Sequence, residues 1–285
     1  MRYISATLVI FSTIFANLSF SASAQEEARP PVIALFQSDN RVLVMLTVGD
    51  HPPVPAVFDT GTNGNIVDMD VATRMGLENR GPSTAIDGST GNPVPGFATY
   101  ITGASLGGVP IADGRANAMP FNFPNEVAIF GPNSFPGQYV VMDLGRSRLV
   151  LFEPETAPQG GEPIPYLGAG SSAALPSLTI EIGDRSIPAI LDTGNDSDFL
   201  LPLSLVPSLN LEAEPVLVGT ATSAAGTQDV FEARLAEDVM IAGVHIERPR
   251  VHFMEGGRPN IGIGVLRQLV LMFDPVAERT WVLNQ

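Results

Sequence analysis

Val54-Pro55-Ala56-Val57-Phe58-Asp59-Thr60-Gly61 is an apolar run that ends in an acid, a hydroxyl and a glycine, and Ile187-Pro188-Ala189-Ile190-Leu191-Asp192-Thr193-Gly194 is a second stretch of the same kind. Each is introduced by a similar turn, Val48-Gly49-Asp50 in the first case and Ile182-Gly183-Asp184 in the second. Working outward, Ile129-Phe130-Gly131 is followed by Phe135 and Asp143, while Asn260-Ile261-Gly262 is followed by Leu266 and Asp274. The interval from Gly131 to Asp143 equals that from Gly262 to Asp274. Between these landmarks each copy has a turn with glycine, Gly88-Ser89-Thr90-Gly91 and Ser223-Ala224-Ala225-Gly226. Landmarks repeated in order at half the chain length read as two copies of one structural unit. The Pro-, Gly- and Glu-rich stretch 154–173 reads as the connector between a unit at 25–153 and a unit at 174–285.

The texture around these landmarks is that of an all-β protein. Short Val/Ile/Leu-rich runs alternate with Gly, Pro, Asn and Asp, and 28 Gly and 25 Pro are spread along the chain. Arg41–Val48, Ala98–Ile101, Tyr139–Met142, Arg148–Phe152, Leu178–Ile182, Val239–Ile241 and Leu269–Phe273 each fit a strand between turn residues. Two short helical turns are expected: Asp70 as cap of Val71–Met75 with Gly76 as its stop, and Leu203–Val206 before Pro207.

Composition removes several kinds of chemistry. With 285 residues, 45% apolar and 16% charged, the chain can build a sizeable core. It has no cysteine, which excludes disulfides, thiolate catalysis and cysteine-bound metals. All 15 basic residues are arginine, so Schiff-base and phosphate-loop lysines are excluded as well. A formal charge of −15 makes nucleic acid and anionic membranes unsuitable partners. Residues 1–24 differ in kind: Arg2, an apolar stretch from Tyr3 to Phe20, then Ala22-Ser23-Ala24 read as a secretory signal peptide. The expectation is an exported chain, periplasmic or secreted, with no stable membrane insertion after cleavage; a retained anchor is the alternative.

Two copies that each present an aspartate at the end of an apolar strand can bring both acids into one site. Carboxylates about 3 Å apart cannot both ionise comfortably, so one keeps a proton while its neighbour stays charged. A water held between them meets a base on one side, and a substrate carbonyl meets an acid on the other. This pair needs no metal, cofactor or histidine.

These residues resemble the aspartic peptidases, and within them the retropepsin-like branch with two lobes fused in one chain. The resemblance runs from about Arg41 to Val282 and covers the order of the landmarks as well as both Asp-Thr-Gly triads. It implies two similar six-to-eight-stranded lobes related by a pseudo-two-fold axis, with Asp59 and Asp192 as the catalytic pair. It also implies that Thr60 and Thr193 lock the loops across the interface, supported by Gly61, Thr62, Gly194 and Asn195. Gly88, Ser89, Thr90, Gly91 and Ala224, Ala225, Gly226 would tip hairpin flaps that close on an extended peptide, and the strands at Ile129–Gly131 and Asn260–Gly262 would brace the loops.

The residue after each triad is a departure to watch. Thr62 fits a hydroxyl that donates to the outer oxygen of its carboxylate, whereas Asn195 would have to do so with an amide. Asp196 and Asp198 read as solvated turn residues, and Asp143 and Asp274 as structural acids at strand ends. Tyr100, the nearest tyrosine to the first flap, reads as a core residue. A metal site would need more converging ligands than His51, His245 and His252, which read as structural or exposed residues, and no Gly-x-Ser-x-Gly elbow is present. The function expected is a monomeric endopeptidase acting on peptides or proteins. Two alternatives stand beside it: a non-catalytic peptide-binding protein that keeps the fold, and a protease that needs a dimer.

Overall fold

The computed structural model describes residues 29–38, 40–88, 90–121 and 127–283. The signal-peptide reading therefore falls outside the described residues, as does Ser89. The fold is all-β, and the described residues build three sheets. Strands of the first are β1 (Val42–Val48), β2 (Val54–Phe58), β3 (Asn65–Asp68), β4 (Pro82–Ile86), β5 (Pro93–Ile101), β6 (Ala104–Leu106), β7 (Val109–Pro110), β8 (Gly114–Met119) and β9 (Ala128–Phe130). They lie in the order β4-β5-β8-β3-β9-β2-β1-β6-β7, and Phe36–Gln37 adds a tenth strand against β1. The second sheet uses β10 (Ser177–Ile182), β11 (Arg185–Leu191), β12 (Phe199–Pro202), β13 (Val216–Ser223), β14 (Gly226–Arg234), β15 (Val239–Ile241), β16 (Val244–Ile246), β17 (Arg250–Met254) and β18 (Asn260–Ile261). Their order is β13-β14-β17-β12-β18-β11-β10-β15-β16.

Each label in the first order, raised by nine, gives the second. The correspondence extends to direction: β9 runs parallel to β2 and β18 parallel to β11, while the hairpins β4/β5 and β13/β14 are antiparallel. The sheets carry more strands than the six to eight expected per lobe, because two-residue strands such as Val109–Pro110 and Asn260–Ile261 are too short to show a period.

Alternation makes β1 a strand with one buried face: Val42, Val44, Leu46 and Val48 turn inward. Central strands β2 and β11 instead end in consecutive buried residues, Ala56-Val57-Phe58 and Ala189-Ile190-Leu191. Packing on both faces fixes where each strand stops, and the aspartate follows at that point.

A third sheet joins the halves. Tyr139–Asp143 pairs antiparallel with Val270–Asp274, placing Val141 opposite Met272, and the hairpin partners Arg148–Phe152 and Arg279–Leu283 flank them. Val32–Ala34 closes one edge and Ile164–Pro165, from within the connector stretch, closes the other. Its inner face, with Val140, Met142, Leu271 and Phe273, belongs to one continuous core that also holds Phe58, Phe130, Phe199 and Phe253. Asp143, 4% exposed, accepts from the Arg146 backbone N–H and the Arg146 and Arg148 guanidinia, and Asp274 caps its turn through the Val276 and Ala277 N–H groups.

The short helices differ in detail from expectation. The first, Met69–Arg74, is capped by Asp68, which accepts from the N–H groups of Asp70 and Val71, so it starts earlier than a cap at Asp70 would allow. The reason is that β3 ends at Asp68 in register with Met119 of β8, which leaves Asp68 at the strand-to-helix junction. Leu203–Ser208 forms a 3-10 helix that includes Pro207.

Candidate active site

Asp59 follows β2 and Asp192 follows β11. Their backbone N–H groups donate to Phe130 O at 2.8 Å and Ile261 O at 3.0 Å, so β9 and β18 hold the first residue of each loop. The chain then turns back on itself: Gly61 N–H reaches Asp59 Oδ1 at 2.7 Å, and Gly194 N–H reaches Asp192 Oδ1 at 2.8 Å. A side chain at either glycine would collide with the acids. A Cβ on Gly61 would lie 2.8 Å from Asp192 Cγ and 3.1 Å from Asp59 Oδ1, and one on Gly194 would lie 3.0 Å from Asp192 Oδ1 and 3.1 Å from Asp59 Oδ2. The two half-buried carboxyl groups thus meet between the two glycines, with their side chains hydrogen-bonded.

Threonines clamp this arrangement. Thr60 Oγ1 donates to Leu191 O at 2.7 Å and accepts from Thr193 N–H at 3.2 Å. Thr193 Oγ1 donates to Phe58 O at 2.6 Å and accepts from Thr60 N–H at 3.0 Å. Both threonines are fully buried, so these four bonds form without competition from solvent.

Burial pushes the Asp59 carboxyl well above the ordinary carboxylic range, and the facing Asp192 charge pushes it further. Backbone N–H groups of Gly61 and Gly194 act in the opposite direction by favouring the charged form. The net effect is that Asp59 retains its proton where an exposed aspartate would have lost it.

The residues after the triads do not act as expected. Thr62 Oγ1 donates to Gly64 O at 3.0 Å rather than to Asp59, because the loop turns the hydroxyl along its own backbone. Asn195 does not reach Asp192 either: its Nδ2 donates to Asn260 Oδ1 at 2.8 Å, and it is Asn260 Nδ2 that donates to Asp192 Oδ2. Asn260 is a site residue that the sequence reading placed only among the bracing landmarks. Its signal was a polar residue where the matching landmark has Ile129. Asp196 and Asp198 are exposed, as expected of turn residues.

The two hairpins meet at their tips. Gly88, Thr90 and Gly91 lie in the loop between β4 and β5, and Ala224 and Ala225 form the turn between β13 and Gly226 at the start of β14. Asp87, only 9% exposed, accepts through Oδ1 from the backbone N–H and hydroxyl of Thr90, and through Oδ2 from Ala225 N–H at 3.2 Å. Asp87 was missed because nothing in its spacing marks a contact with the turn at Ala225. Tyr100 is not a core residue: it is 37% exposed on β5, with the Arg80 guanidinium 5.2 Å above its ring.

A cavity of about 220 Å³ opens beside the first loop, lined among others by Thr62, Asn63, Asn133 and Tyr166. Asn133 Oδ1 and the Tyr166 hydroxyl are buried there without a hydrogen-bond partner among the described residues. The histidines lie elsewhere; His245 pairs with Asp238 at 2.8 Å and His252 with Glu232 at 3.4 Å. Among the described residues no group of three or more potential metal ligands is present, and no helix is long and apolar enough to cross a membrane.

Comparison with known protein families gives a match over part of the chain. Residues 44–134 fit the model of the aspartyl protease family, a segment that runs from β1 past β9 and contains Asp59, Thr60 and Gly61. A search of curated proteins returns no match to the chain.

Proposed function

We propose that the chain is an aspartic endopeptidase of two lobes, residues 25–153 and 174–285 joined by 154–173, in which Asp59 and Asp192 together activate one water. The observation that carries this reading is the direct contact of two carboxyl groups held from below by reciprocal threonines. The family match to residues 44–134 supports the protease class.

Asp192, charged, removes a proton from the water as the water oxygen attacks the carbonyl carbon of the scissile amide. Asp59 gives its proton to the carbonyl oxygen, forming a tetrahedral diol. The diol collapses as Asp192 delivers its proton to the amide nitrogen and Asp59 recovers one from the diol oxygen. The C–N bond breaks, leaving a carboxylic acid and an amine, with both aspartates restored.

The hairpins tipped by residues 88–91 and 224–226 act as lids in this account, and the substrate is a peptide in extended form gripped through its backbone. The correspondence of strand order supports a duplicated origin for the lobes. A monomer then suffices, exported by residues 1–24 to the periplasm or beyond.

The test is cleavage of an unfolded protein by the purified mature chain across a pH series, with and without a statine-type transition-state mimic. The expected result is acid-favoured hydrolysis at internal peptide bonds, blocked stoichiometrically by the mimic. Hydrolysis indifferent to the mimic, or none at all, overturns the reading.

A further inference from the structure

The two aspartates are equivalent in the strand plan but not in what surrounds them. On the Asp192 side, hydrogen bonds run in one direction through three side chains. Ser197 donates to Asn195 Oδ1 from its backbone N–H at 3.0 Å and its hydroxyl at 2.8 Å, Asn195 Nδ2 donates to Asn260 Oδ1 at 2.8 Å, and Asn260 Nδ2 donates to Asp192 Oδ2. The direction is fixed at its origin. A backbone N–H can only donate, so the Asn195 oxygen must face Ser197, its NH₂ must face the Asn260 oxygen, and the Asn260 NH₂ must face the acid. Aligned donors of this kind polarise one another toward the last acceptor. Asn260 is itself 6% exposed, which keeps water from replacing it.

Among the described residues the Asp59 side has no such chain. Asn260 pairs with Ile190 across β18 and β11, and the residue in the same register across β9 and β2 is Ile129, paired with Val57. Thr62, at the position of Asn195, spends its hydroxyl on Gly64 O. Among the described residues, the groups that donate to Asp59 are the backbone N–H groups of Gly61 and Gly194, and the Asp192 carboxylate accepts from the protonated Asp59.

We infer that Asn260, anchored by Asn195 and Ser197, is the positioning residue that assigns the charge to Asp192 and the shared proton to Asp59, and so decides which acid serves as base toward the attacking water. An amide NH₂ aimed at a carboxyl oxygen stabilises the anion and gives a protonated O–H nothing in return. The titratable group facing Asp192 is Asp59; Asp198, next along the loop, turns instead toward the backbone at Gly264. The inference deepens the aspartic-peptidase reading and rests on it for its catalytic consequence.

The test replaces Asn260 by the residue of the other copy, Asn260→Ile, with Asn195→Ala as a second variant that keeps the Asn260 amide but removes its tether. Two readouts are compared with wild type: the pH profile of kcat/KM on a peptide substrate, and the ¹³C carboxyl titration of the pair by NMR, which needs no turnover. The expected result for Asn260→Ile is an acid limb moved up by about one pH unit and kcat lowered about tenfold or more, with KM nearly unchanged. Asn195→Ala shifts the same limb in the same direction by less. The lower carboxyl titration step moves with the limb.

A folded Asn260→Ile or Asn195→Ala protein whose acid limb and lower titration step both coincide with wild type overturns the inference. If Asn260→Ile fails to fold, Asn195→Ala decides alone. The peptidase reading fails differently, through a wild type that cleaves nothing or through cleavage that survives Asp59→Asn and Asp192→Asn. In that case the NMR titration still shows whether Asn260 places the proton.

Discussion

Asp59 links the site to the stability of the whole chain. Its folded carboxyl holds a proton more tightly than the unfolded chain does, whose aspartates titrate at about 4. The native state therefore binds more protons between those two points, and stability falls as pH rises through that window. The limiting slope is about 1.4 kcal/mol per pH unit for one proton. Asp59→Asn, which cannot ionise, is expected to flatten the decline and to be more stable than wild type at neutral pH in denaturant titrations run at several pH values. Parallel stability curves for the two proteins would show that Asp59 is not perturbed in the fold. Some of this was legible in the sequence. The triads marked both acids, because an aspartate after a buried strand followed by glycine leaves few alternatives. What sequence could not supply was the aim of short polar side chains. Thr62 fits a donor to its carboxylate and Asn195 departs from that pattern, but a short loop can turn a hydroxyl onto a carbonyl of its own backbone as easily, and only the fold brings Asn260 under Asp192.

Elements impose their own constraints. The strands beneath the loops need glycine at their ends, since a Cβ on Gly262 would strike Ser197 O and Asn195 O. Gly262→Ala is therefore expected to lower stability by about 1–3 kcal/mol in chemical denaturation, through displacement of the loop that carries Asn195. The hairpin tips are joined through Asp87 Oδ2 and Ala225 N–H. Asp87→Asn leaves an oxygen for Thr90 but presents an NH₂ to Ala225, and two donors cannot pair. The expected outcome is faster hydrogen exchange at the Ala225 amide and faster proteolytic nicking at residues 87–92 and 223–226, both slowed again by a tight peptide-like inhibitor. Exchange and nicking rates equal to wild type would mean that the tips do not hold each other. The hairpins themselves could be placed from their turn residues. Their meeting could not, because a contact between loops 138 residues apart leaves no trace in local pattern.

At the scale of the molecule, three features bind the halves: the shared six-stranded sheet, the threonine clamp and the hairpin tips. The clamp is the most sensitive, because its groups are fully buried. Thr60→Val leaves Leu191 O and Thr193 N–H without their partner, at a cost of roughly 1–3 kcal/mol for each unsatisfied group. Thr193→Val should cost a similar amount, and the double variant less than the sum, since both act on one interface. Additive losses in denaturant titrations would indicate that the threonines stabilise their own loops separately. Matched landmarks marked the two stretches that carry the triads, because they record spacing along the chain, but they carried no strand order. The joining sheet was not marked, because its strands carry only a short apolar pattern and pair across halves, where spacing along the chain is silent.

The most direct measurement is single-turnover hydrolysis of one peptide by the wild type, Asp59→Asn, Asp192→Asn and the double variant, all shown to be folded. A pair that shares one proton acts as a unit, so each single change should cost about 10³-fold or more and the double change little beyond that. Either single variant retaining a tenth or more of the wild-type rate, or losses that multiply in the double variant, would contradict a joint role for Asp59 and Asp192.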